Sequence, residues 1–233
     1  MTIPAHSLPD TAMALTEVLK TTGFTRVAAL GRPSPFIEDA LACHVQSVGG
    51  ALKVLGSDWG PKAIPSMGDG WAWVLSDVRN YHAAYHQLYA VDAYCRRHNQ
   101  PMLVLMPHVL GEVARRDHYP RPYLTPPAWR KRTEEVPGTA GLRRAIATGG
   151  ARNGVVTAVE DMVSERSDMG AALTWAHLPA LNGLGALFDT DAEWAPRLAG
   201  ALANYHTSSI IAAMSARQIR EYLAMLDGRN PPC

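Results

Sequence analysis

Nine of the 22 basic residues of this chain fall between Arg115 and Arg152, among only three acids, Asp117, Glu134 and Glu135. The cations are Arg115, Arg116, Arg121, Arg130, Lys131, Arg132, Arg143, Arg144 and Arg152, and Tyr119, Tyr123 and Trp129 are set among the earlier ones. A guanidinium presents a planar fork of donors that matches a phosphate, and an aromatic ring offers a face on which a base stacks. Pro120, Pro122, Pro126 and Pro127 remove backbone donors and keep this stretch out of regular helix. The pattern is that of a polyanion-binding loop. Arg115, Arg116, Arg121, Arg130, Lys131 and Arg132 would neutralise phosphates, Tyr119, Tyr123 and Trp129 would stack or brace, and Arg143, Arg144 and Arg152 would extend the track. The expected partner is nucleic acid, DNA or RNA alike, because the 2′-hydroxyl is recognised by geometry rather than by residue type.

Other groupings carry less specific chemistry. Gly31-Arg32-Pro33-Ser34-Pro35 has neither the dinucleotide glycine fingerprint nor a Walker loop, although Arg32 and Ser34 could touch an anion where a helix begins. His82 and His86 stand four apart without a third ligand, and Cys43-His44 and Cys95 with His98 are each half of a site, so no metal and no cofactor is expected. Gly149 to Gly154 reads as a hinge. Asp189-Thr190-Asp191 pairs two carboxylates, but Thr190 with Glu193 spells a helix capping box. Glu160, Asp161, Glu165 and Asp168 form an acidic face that Arg166 only partly neutralises, which suits a solvated surface or the docking of a basic partner.

Two rivals to nucleic-acid contact follow. One is an enzyme acting on a nucleotide or other phosphorylated small molecule at the strand ends, near Arg32, Ser34, Asp58, Asp77 and His108, with the basic loop as its lid. The other is a structural subunit whose loop docks on an acidic protein.

Charge distribution constrains the choice. The net charge is +1, yet the 115–152 segment carries a surplus of six positive charges and the remainder is correspondingly acidic. Such a chain presents a basic stripe on an acidic body rather than coating a polyanion throughout, so protein partners on the acidic remainder, within a larger assembly, are expected. Three unevenly spaced cysteines, Cys43, Cys95 and Cys233, fit a reducing compartment. The first ten residues carry no secretory pattern and no apolar run reaches membrane-spanning length, so a cytoplasmic protein without membrane contact is expected.

The elements that must position these residues follow from periodicity. Strand patterns at Thr25–Leu30, Leu52–Leu55, Trp71–Leu75 and Met102–Met106 are separated by helical stretches, one capped by Asp10 and ended by Gly23, one opening at Ser34 or Pro35, and one from Asp77 to about His98. Strands alternating with helices predict an α/β fold, a small Rossmann-like or flavodoxin-like parallel sheet flanked by helices, over residues 1–114. A basic proline- and aromatic-rich loop region over 115–153 follows, with a short helix around Leu142 to Ala147. Residues 154–228 read as a mainly helical part packed on the first, with Leu198, Leu202 and Tyr205, then Ile211 and Met214, then Ile219, Tyr222, Leu223 and Leu226 at helical spacing.

Overall fold

The central strands are apolar at every position, which is the signature of strands covered on both faces. A computed structural model describes residues 8–56, 64, 67–107, 109, 112–119, 133–134, 143–179, 183–206, 208–214 and 217. In chain order, α1 (Leu8–Thr22), β1 (Arg26–Leu30), α2 (Pro35–Ser47), β2 (Ala51–Leu55), β3 (Trp71–Leu75), α3 (Tyr81–Arg97) and β4 (Leu103–Pro107) build the first half. The second half holds the single turn α4 (Glu112–Arg115), the short strands β5 (His118–Tyr119), β6 (Thr133–Glu134) and β7 (Arg143–Ala145), then α5 (Val155–Asp168), β8 (Leu173–Leu178), β9 (Leu184–Asp189) and α6 (Ala195–Ala203).

Six strands form one sheet in the order β2-β1-β3-β4-β9-β8. The first four are parallel, with Arg26 to Leu30 facing Ala51 to Leu55 on one side and Trp71 to Leu75 on the other. β9 runs antiparallel between β4 and β8. Alternation sorts the side chains into two cores. Leu30, Trp73, Leu75, Val104, Met106 and Leu187 meet α3 and α5 on one face. Val27, Ala29, Val74, Leu105, Ala186 and Phe188 meet α1, α2 and α6 on the other. The result is the α/β sandwich of a helix-flanked parallel sheet expected from the sequence, in the second of the two strand arrangements considered, extended by an antiparallel hairpin.

Several local expectations are corrected. The helix expected at Leu142 to Ala147 is strand β7, paired on both sides with β5 and β6 in a small second sheet. Tertiary pairing overrides helix propensity there. Asp77 does not cap α3. Asn80 does, its side-chain oxygen accepting from Ala83 N–H at 2.8 Å. Asp10 lies inside α1, which begins at Leu8. Thr190 and Glu193 precede α6, whose N-cap position is Trp194, so the capping box does not form. Apolar runs taken as part of a helical half are β8 and β9, although α5, α6 and a helical turn at 209–214 make up much of the remainder. Positions Ile219, Tyr222, Leu223, Leu226 and Cys233 lie outside the described residues.

The hairpin depends on one absent side chain. A Cβ on Gly185 would fall 1.9 Å from the Trp175 ring, so glycine lets the indole lie across β9. Backbone and a fixed indole cannot yield as a flexible side-chain tip does. Gly185→Ala is expected to lower stability by about 1–3 kcal/mol, the usual range for overpacking, read as a lower urea midpoint at unchanged slope.

Candidate functional site

In a doubly wound sheet, ligands bind outside the carboxyl ends of the strands, where the strand order reverses. Here the reversal lies between β1 and β3, because α2 leaves β1 for one face and α3 leaves β3 for the other. The two loops leave the sheet for opposite faces, the arrangement in which a doubly wound sheet forms its ligand crevice, with Gly31, Arg32 and Ser34 following β1 and Asp77 and Arg79 following β3. Gly31 makes the approach possible. It takes φ +80°, and a Cβ there would meet the Asp77 Cβ at 3.0 Å. Its N–H donates to Leu55 O at 2.9 Å, and Ser76 N–H donates to Leu30 O at 2.9 Å, which ties the ends of three strands together.

The polar groups of the crevice are only partly engaged. Ser34 is the N-cap of α2 and accepts from Ile37 N–H at 3.5 Å, with Pro35 opening the helix. Arg79 Nε donates to Asp77 Oδ1 at 3.3 Å, both side chains being about a third exposed. Arg32 is exposed, and no described residue pairs with its guanidinium. Together the two loops carry two guanidinium groups, the first turn of a helix and a carboxylate.

The basic excursion is anchored to the second wall. His118 N–H donates to Arg79 O at 2.8 Å and Asn80 Nδ2 donates to His118 O at 3.1 Å, so β5 lies along the start of α3. The anchor is Asp117, which is fully buried. Its Oδ1 accepts from Tyr81 N–H at 2.6 Å and Gly154 N–H at 2.8 Å, the first residue of α3 and the N-cap of α5, and its Oδ2 accepts from Tyr119 OH at 3.0 Å. A carboxylate between two helix N-termini is favoured by both helix dipoles and satisfies donors that the helices leave orphaned. Asn153 completes the knot. Its Oδ1 accepts from Asp117 N–H at 2.9 Å, and its Nδ2 donates to Ala147 O and Gly149 O at 2.9 and 2.8 Å. Gly149 to Gly154, expected as a hinge, is therefore a tied turn.

The cations named from the sequence divide into three groups. Arg115 forms a bidentate pair with Glu160 and donates to Thr157, and Arg116 donates to Thr148. Both are committed to internal partners. Arg143 and Arg144 lie on β7 and Arg152 on the turn before α5, all on the excursion that rises from the carboxyl edge. Arg121, Tyr123, Trp129, Arg130, Lys131 and Arg132, with Asp58 and His108, lie outside the described residues. Tyr119 is buried on Asp117 and has no stacking face to offer. Sequence reasoning missed Asp117 and Asn153, which read as an acid and an amide in a basic tract. The Asn153-Gly154 turn was the only available signal.

Histidines 82 and 86 stack edge to face on α3, ring centroids 4.4 Å apart. Burial, and secondarily His86, lowers the His82 pKa to about 4. No cluster of three metal-ligating side chains occurs among the described residues. Cys95 is buried, and burial pushes its thiol up to about 12, which makes it a packing group rather than a nucleophile at neutral pH. No described helix is long and apolar enough to cross a membrane.

No protein-family model matches the chain, and no curated protein matches it. Fold and crevice alone define its class, a doubly wound α/β protein with a basic excursion standing beside the strand-order switch.

Two predictions follow from this geometry. Asp117→Ala leaves two buried helix N–H groups and the Tyr119 hydroxyl without their acceptor, and is expected to cost about 3–5 kcal/mol in urea unfolding. His82 sets a pH dependence. The unfolded imidazole takes up a proton near pH 6.5 and the folded one only near 4, so the unfolded state binds more protons in that window. The contribution of His82 is thus fully present above pH 6.5 and is lost as the pH falls towards 4. His82→Gln is expected to flatten the fall in urea midpoint between pH 7 and pH 4.5.

Proposed function

We propose that the chain binds a phosphorylated small molecule of the nucleotide class in the crevice between β1 and β3, with the basic excursion closing over it. One observation carries this reading: β5, the first strand of the excursion, is hydrogen-bonded to the Arg79–Asn80 wall of the strand-order switch. Arg32 and Arg79 would take phosphate oxygens in bidentate fashion, and the first turn of α2 would add backbone donors. Asp77 stands where a sugar hydroxyl or a transferable proton would come, and Arg79 fixes its orientation. The excursion, held at its base by Asp117, would bring Arg143, Arg144 and Arg152 to the same rim as a lid.

Nucleic-acid contact, within a larger assembly, is the second reading. The charge surplus of 115–152 favours it, and the internal commitments of Arg115 and Arg116 weaken it. Ligand size separates the two. Mononucleotides and oligonucleotides titrated against the protein at low and high salt are expected to give mononucleotide binding that Arg32→Glu weakens by about tenfold or more. Binding that requires several linked phosphates, falls steeply with salt and ignores Arg32→Glu would transfer the function to the nucleic-acid reading. Absence of both would remove the phosphate from the proposal altogether.

A further inference from the structure

The sheet ends in two edge strands of opposite character. β2 carries Lys53, the kind of charge that keeps an edge from pairing, whereas β8 reads Leu-Thr-Trp-Ala-His-Leu without a single charged side chain apart from its histidine. The outward-facing groups of β8 can be assigned. His177 N–H donates to His206 Nδ1 at 3.1 Å, away from β9, so residues 173, 175 and 177 point their main-chain groups to the open side. His206 thereby covers one of these groups. Among the described residues, none pairs with the outward main-chain groups of Leu173 and Trp175.

A groove of about 410 Å³ runs beside this edge, between Trp175 and the Val159, Val163 and Ser164 side of α5, with the exposed carboxylates of Glu160 and Asp168 along it. The helix is acidic here. Arg166, expected to offset the acids, is buried and bound to Asp92 at 3.3 Å and Asp189 at 3.4 Å on the inner side. Asp161 and Glu165 accept from Tyr81 OH and Tyr85 OH, which leaves their charge in place. Arg115 pairs with Glu160 at the start of this face.

We propose that β8 and the flanking α5 groove form a docking site for an extended basic peptide of a partner protein, added as a further antiparallel or parallel strand. Main-chain groups of Leu173 and Trp175 hold the added strand, an apolar side chain enters the groove against Trp175, and alternate lysines or arginines meet Asp168 and its neighbours. Charge selects this occupant over a second copy of the chain. Edge-to-edge pairing of two β8 strands would bring two acidic α5 faces together, at an electrostatic cost that a basic peptide turns into attraction.

The probes are fluorescein-labelled heptapeptides of alternating lysine and valine, and of alternating glutamate and valine, titrated against the full chain. The lysine peptide is expected to bind and to shift the Leu173 and Trp175 backbone amide resonances. Asp168→Lys, an exposed substitution that leaves the core intact, is expected to weaken it about tenfold or more, and added salt to weaken it further. Trp175→Ala removes the apolar wall and is expected to weaken the lysine peptide as well. Equal binding of both peptides, no effect of Asp168→Lys, or amide shifts elsewhere would each overturn the assignment. So would a dimer in solution whose Leu173 and Trp175 amides are protected from exchange, since a second copy would then occupy the edge.

Discussion

A single buried carboxylate joins the halves of this molecule. Asp117, in the segment that follows β4, takes the first N–H of α3 and the N-cap N–H of α5 on one oxygen. Each helix begins with unsatisfied donors, and a charge placed between two such ends is held by hydrogen bonds and by both dipoles. The interaction fixes α3 against α5, and with them the helical layer on one face of the sheet. It also fixes where the chain leaves the sheet after β4 and where it returns. Removal of the carboxylate would free the base of the excursion and the register of two helices at once, so crevice geometry and fold stability share one determinant.

At the opposite edge, a second ionic cluster does for the other helix ends what Asp117 does for these. Asp92 of α3 is almost fully buried and meets Arg166 of α5 and Arg96 of its own helix, at 3.3 and 2.9 Å. Burial pushes the Asp92 carboxyl upward, against the pull of the two arginines. Arg166 continues to Asp189, whose other oxygen accepts from Met102 N–H at 2.6 Å, so the cluster reaches from helix layer to β4 and β9. A buried charge group of this kind adds less to stability than apolar packing of the same volume would, and its value lies in excluding other arrangements. Two helices clamped at both ends by directional contacts have little freedom to slide, and the edge strand beneath α5 inherits that fixed position.

The sandwich was legible because its signals are local and repetitive. Trp71 to Leu75 and Leu103 to Pro107 are apolar throughout and bounded by turn residues, which is enough to read parallel strands. Gly31-Arg32-Pro33 ended β1 as its turn chemistry demands. The second half was not legible in the same way. β7 is three residues long and owes its conformation to β5 and β6, partners 24 and 10 positions or more away that no window of periodicity contains. β9 fell inside the stretch expected to be mainly helical, because a short apolar run such as Leu184 to Phe188 fits either element. Asp117 was hidden for a related reason. A lone acid among arginines reads as a surface counter-charge, and only the folded chain brings Tyr81 and Gly154 to it across 36 and 37 positions.

The same contrast governs the charges. In the sequence, nine cations form one tract, and the tract invites one polyanion. Folding breaks the tract into parts with different work. Arg115 turns back to pair with Glu160 on α5 and Arg116 donates to Thr148, so the end nearest the sheet is tied back to the protein. Outside the tract, Arg32 follows β1 and Arg79 follows β3, on the two sides of the reversal of strand order. The acids separate likewise, because Arg166 turns inward to Asp92 and Asp189 while Arg115 pairs with Glu160 on the outer face of α5. A protein of nearly zero net charge thus sets arginines after β1 and β3, at the carboxyl ends of its strands, and an acidic helix beside the β8 edge strand.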